Sequence, residues 1–133
     1  MRKYHALIAL VLAFVMSSCA KPPASLSPAG AKVYQANQAV VAIGTLQHAA
    51  IELNKIQNCQ PMPCQPFLSD KNTGVVVDNV ATALMTIRAV PAGWKATAQA
   101  ALTEIAARLD GDGKTQLASY LNAASTVIAT LVP

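Results

Sequence analysis

The chain has 133 residues, a formal net charge of +4 and only 12% charged residues, a length that favours one domain over two. Hydrophobic residues make up 53%, which argues against a disordered polar tail. Alanine leads with 26 residues against six aromatics, a composition suited to thin, closely packed helices rather than to a β-sandwich.

The first segment reads as an address. Met1-Arg2-Lys3 is a basic start, and residues 6–15 (ALIALVLAFV) are an unbroken apolar run. Ten residues are half of what a membrane-crossing helix needs, about 20, and fit the core of a signal peptide. Ser17 and Ser18 then lead into Cys19. Two small residues directly before a cysteine resemble the lipobox of bacterial lipoproteins, with Met16 where that pattern most often has Leu. The resemblance covers residues 16–19 only. It implies cleavage after residue 18, lipidation of Cys19 with palmitate-type chains, and anchoring in a bacterial envelope membrane. Ala20, rather than an Asp, follows the cysteine, which by the same resemblance favours the outer membrane facing the periplasm. An ordinary secretory signal cleaved near Ala20 is the alternative.

Residues 19–26 form a lipidated start and an extended tether, with Lys21-Pro22-Pro23-Ala24-Ser25 at its centre. Removal of residues 1–18 takes away Arg2 and Lys3, so eight bases face six acids and the charge falls to +2. The remaining bases are scattered singly, without the positive stripe that a phosphate backbone requires. Nucleic acid is therefore not expected as a partner.

The helical domain is assigned to 27–133. Ser27-Pro28 is a start signal, with Ser as N-cap and Pro at the first helical position. Val33, Ala36, Val40, Ile43, Leu46, Ala50, Leu53 and Ile56 follow at helical spacing, predicting a first helix of about 45 Å. Gln35, Gln38, Thr45, His48, Glu52 and Lys55 form its polar stripe. The segment 58–72, with Pro61, Pro63 and Pro66, is predicted as a loop.

Three shorter helices are predicted at 73–90, 92–109 and 114–131, each about 27 Å long. Val76, Val77, Val80, Leu84 and Ile87 point inward on the second; its Val75-Val76-Val77 start could also form a short strand. Pro91 ends it. Trp94, Ala98, Ala101, Ile105 and Leu109 face inward on the third, and Leu117, Leu121, Ala124, Ile128 and Leu131 on the fourth. Asp110-Gly111-Asp112-Gly113 is a turn between them, with Asp112 as the expected N-cap. The fold class expected is all-α, a small Ala-rich four-helix bundle whose long first helix either projects or covers a partner.

Chemistry-bearing residues are few. With Cys19 lipidated, Cys59 and Cys64 remain, and an oxidising periplasm makes them a disulfide that staples the proline loop. They follow a helix end and are separated by four residues, unlike the C-x-x-C of redox enzymes at a helix start. His48 with the two cysteines would be an incomplete zinc set. From Asp110, an EF-hand would need Asp or Asn, Gly and Glu where Lys114, Thr115 and Leu121 stand. Gly113-Lys114-Thr115 mimics the end of a phosphate loop, but Arg108 occupies the place of its first glycine. No Ser sits in a G-x-S-x-G elbow, and Glu52 and Glu104 are isolated polar-face residues. No cofactor, no metal and no enzymatic activity are expected.

The functional expectation is a non-enzymatic envelope lipoprotein acting as a protein-interaction or structural module. Met62 and Phe67 in the stapled loop, the excess length of the first helix, and Trp94 are its candidate contacts, with Trp94 otherwise a core plug. An Ala-rich bundle can also leave an apolar cavity, so a periplasmic carrier of a lipid or other apolar small molecule is the alternative. A thiol-redox or hydrolytic envelope enzyme is a third reading.

Overall fold

The computed structural model describes residues 22–132. Four α-helices carry the fold: α1 (Pro28–Lys55), α2 (Asp70–Ala89), α3 (Trp94–Arg108) and α4 (Gly111–Thr130). Two short strands, β1 (Gln57–Asn58) and β2 (Gln65–Pro66), form a hairpin between α1 and α2. The protein is an all-α four-helix bundle.

Each helix has a local reason to start where it does. Ser27 Oγ accepts from the Gly30 amide at 3.1 Å, and Pro28 occupies the first turn of α1. Ser69 Oγ accepts from the Asn72 amide at 3.3 Å to cap α2, three residues before the start expected from apolar spacing alone. The three valines at 75–77 are helical. Pro91 ends α2 and opens the single 3₁₀ turn Pro91–Gly93, so α3 starts at Trp94 rather than 92. Gly111 has a positive φ of 26° and opens α4, a backbone setting that glycine adopts at least cost. Asp112 is thus inside the first turn of α4 and is not its N-cap.

Hydrogen bonds at the helix ends fix the topology. The Leu68 amide donates to Leu53 O at 3.3 Å, joining the end of α1 to the approach to α2. Asn72, in the first turn of α2, bonds Asp110 and Asp112 at the start of α4. At the other end, Lys95 Nζ donates to the Ala129 and Leu131 carbonyls, bringing the start of α3 to the end of α4. Consecutive helices are therefore antiparallel, as in an up-down-up-down bundle. One end, the hairpin pole, gathers the end of α1, the starts of α2 and α4 and the end of α3. The opposite end, the Trp94 pole, holds the α2–α3 connection and the end of α4, and the chain enters the bundle there.

The core is made of alanine and branched aliphatics. Ala36, Ala39, Ala42 and Ala50 of α1 are buried among Ile43, Leu46, Val76, Val80, Ile105, Leu117 and Ile128. Small side chains let α1 pack against all three other helices. That explains why its buried arc is wider than one stripe: Gln35, expected on the polar face, is buried. Among the described residues, the core runs from Ala36 to Leu131.

The excess length of α1 projects. At 28 residues it spans about 42 Å, against about 30 Å for the 20 residues of α2 or α4. No residue of its first seven is buried, and Val33, expected inward, is 59% exposed because its turn precedes the bundle. Ile56 is also exposed rather than inward, as it is the C-cap where the chain turns into the hairpin.

Candidate functional site

The hairpin pole is built from the end of α1 outward. After Ile56 the backbone is extended, and β1 and β2 pair antiparallel, Gln57 with Pro66 and Asn58 with Gln65. The Phe67 amide closes the base of the hairpin by donating to Ile56 O at 2.7 Å. Leu68 is fully buried and pins the returning strand into the core. Asn54 Nδ2 donates to Leu68 O at 2.9 Å and to Asp70 Oδ1 at 2.8 Å, tying the same junction from the α1 side.

At the tip, Cys59 and Cys64 form the expected disulfide, with an S–S distance of 2.04 Å. The Gln60–Pro61 and Met62–Pro63 peptide bonds within it are cis. Met62 stands 75% exposed at the apex. Phe67, at the root, is half-buried against the core. The pole thus offers a knob of proline, disulfide and thioether, whose prolines and bridge restrict the backbone and leave less conformational freedom to lose on contact. Beside it lies a cleft of about 530 Å³, lined by Asn58, Gln65, Phe67, Asp70, Asp112 and Gln116.

The floor of that pole is a polar cluster that residue spacing did not reveal. Asn72 is fully buried, and its Nδ2 donates to Asp112 Oδ1 at 2.8 Å and to Asp110 Oδ1 at 3.0 Å. Its Oδ1 accepts from the Asp110 amide at 3.1 Å. The other Asp112 oxygen accepts from the Ser69 amide at 2.8 Å. Lys71 pairs with Asp110 Oδ2. The Lys71 hydrogen bond, followed by that from Asn72, holds the Asp110 carboxyl below its usual range, and the same contact raises the Lys71 ammonium. Gly113 is buried against Asn72: a Cβ there would come within 2.5 Å of Asn72 Cγ. Both aspartates of the DGDG turn therefore face the chain's own donors. Sequence cues for this cluster were limited to Ser69 and Asp70, a cap and an acid at a helix start.

No family model, curated protein or solved structure matches this chain.

The candidate residues separate by pole. Met62, Phe67, Cys59 and Cys64 come together at the hairpin. Trp94 does not: it is only 2% exposed, at the opposite pole. It is a core plug rather than a contact anchor, since the α2–α3 connection folds it under the bundle end. Cys19 lies outside the described residues. His48 is exposed on α1, and among the described residues no three His, Cys, Asp or Glu side chains gather as a metal set. No described helix is long and apolar enough to cross a membrane. A second, shallow groove of about 710 Å³ runs between α3 and α4, floored by Leu102, Ala106, Leu109, Ala118 and Leu121.

Proposed function

We propose that this protein is a non-enzymatic lipoprotein of a bacterial envelope, held by Cys19 in the outer membrane and facing the periplasm. Its bundle displays the stapled hairpin to a protein partner. The observation that carries this reading is polarity along the bundle. The chain enters at one pole, and the disulfide hairpin stands at the other, beyond the roughly 42 Å of α1. A spacer of that length keeps a contact knob clear of the surface to which residue 19 is attached. The rigid tip suits recognition, because little side-chain and loop entropy is lost when it binds.

Two linked measurements test it. A non-reducing intact mass from the native membrane fraction should begin at Cys19, carry an acyl addition and lack two hydrogens for the bridge. A photo-crosslinker at position 62 should then capture an envelope protein, while one at position 48 should not. An unlipidated mass, or equal capture from both positions, overturns the reading.

The α3–α4 groove favours one other reading, a carrier of a lipid or other apolar small molecule. A lipophilic fluorophore would then bind stoichiometrically, and Ala118→Trp, placed in the groove, would expel it without unfolding the protein. Equal binding by that variant removes the carrier reading.

A further inference from the structure

The acids are confined to one part of the bundle, whereas the bases are spread over both halves. All six acids of the chain, Glu52, Asp70, Asp78, Glu104, Asp110 and Asp112, lie at the hairpin pole or at mid-height on α2. Lys55, Lys71, Arg108 and Lys114 share that half, and three of them are in ion pairs with Glu52, Asp110 and Glu104. The Trp94 half carries Lys32, Arg88 and Lys95 and no acid at all. Lys95 caps the carbonyls ending α4, whereas Lys32 and Arg88 stand exposed.

Apolar exposure follows the same axis. Leu26, Val33, Met85, Val90 and Val132 lie at the Trp94 pole, five of the eight large exposed hydrophobics among the described residues. Val33 sits on the projecting start of α1, and Leu26 lies just before its Ser27 cap. Bases without acids, interspersed with aliphatic side chains, make a surface complementary to anionic headgroups over hydrocarbon.

We infer that the Trp94 pole is a second membrane contact: it binds an anionic lipid surface directly, through Lys32 and Arg88 with Leu26, Val33 and Val90. This goes beyond an acyl anchor, and it does not depend on one. Contact at this pole orients the bundle along the membrane normal instead of leaving it to swing on its tether. The occupant is lipid rather than protein because the half carries bases and exposed aliphatic side chains with no acid, and because the chain enters the bundle at this pole.

The test uses the oxidised chain beginning at Ala20, which contains every core residue of the described bundle and has no Cys19 to acylate. Sedimentation is measured with vesicles of phosphatidylglycerol mixed into phosphatidylcholine, and with phosphatidylcholine alone. Binding is expected to the anionic vesicles, weakening as salt rises. Reversing Lys32→Glu and Arg88→Glu together should lower it about 25-fold or more, since each base near such a surface contributes about fivefold. Lys55→Glu with Lys114→Glu, the same charge change at the hairpin pole, should lower it far less. Circular dichroism checks that both variants remain folded. Equal loss in the two variants, equal binding to neutral vesicles, or no binding overturns the inference. So does capture of a protein instead of lipid by a photo-crosslinker at position 33 in cells. An unacylated Cys19 would end the anchoring proposal and leave this vesicle result unchanged, so the two readings fail separately.

Discussion

Asn72 and Gly113 are a matched pair, and each predicts the effect of changing the other. On an isolated helix, Gly→Ala stabilises by about 1 kcal/mol. Here the new methyl would collide with an amide that four hydrogen bonds hold in place, so Gly113→Ala should destabilise by about 1–3 kcal/mol in urea unfolding. Asn72→Ala leaves the Asp112 and Asp110 groups short of partners and should cost about 1–3 kcal/mol. The double variant should cost less than the sum, because removing the amide makes room for the methyl. Strict additivity would show that the two do not touch. A pH effect belongs to the same cluster. Asp110 titrates lower in the folded protein, so its contribution is present above the unfolded carboxylate pKa and disappears as pH falls through the folded value. Lys71 titrates higher, so its contribution is present below the unfolded lysine pKa and is lost as pH rises through the folded one. In Lys71→Met, NMR titration should find the Asp110 pKa raised, yet still held down by Asn72.

The helices were legible as elements, and their faces less so. Trp94, Ala98, Ala101, Ile105 and Leu109 on α3, and the five-residue stripe on α4, are all buried as their spacing predicted. Those helices pack along one arc, which periodicity describes well. α1 packs on three sides, and a single stripe could not place Gln35 inside or Val33 outside. The starts of α2 and α4 were missed because polar cross-links between Ser69, Asn72 and Asp112 set them, and such bonds leave no mark on hydrophobic spacing. The Cys59–Cys64 staple was legible from the spacing of the cysteines and the compartment that the lipobox-like start implies, but the β1–β2 ladder beneath it was not, since two residues per strand carry no alternation. Because the hairpin is exposed and its base is held by Leu68, the bridge is expected to stiffen the tip more than the bundle. Cys59→Ser with Cys64→Ser should therefore lose at most about 2 kcal/mol. Helical circular dichroism should stay intact, and amide exchange should rise at Gln57, Asn58 and Gln65. Global loss of helix would show that the hairpin nucleates the fold.

Across the whole molecule, one core joins two poles with different surfaces. Trp94 reports on one pole, and far-UV dichroism averages over all four helices. With a continuous core from Ala36 to Leu131, both signals should unfold at the same urea concentration, and Trp94 should resist acrylamide quenching until they do. Separate midpoints would mean that the poles melt independently. The sequence placed Trp94 on the correct helix face, but it could not say which end of the bundle that face reached. Nor could it show that acids far apart along the chain would gather in one half of the bundle and leave the other half with bases alone. Both depend on the antiparallel order of the helices, which only the contacts between their ends establish.

The Cys59–Cys64 bridge also sets what a protease could do here. The hairpin tip is exposed from Cys59 to Cys64, and an endoprotease acting there would cut between the two cysteines. Such a cut divides the chain into an α1 piece and an α2–α4 piece, but the bridge still joins them and the core still holds them together. The clipped product would migrate as one species, heavier by a single water, until a reductant separated the pieces on a denaturing gel. That topology turns a damaging cleavage into a silent one.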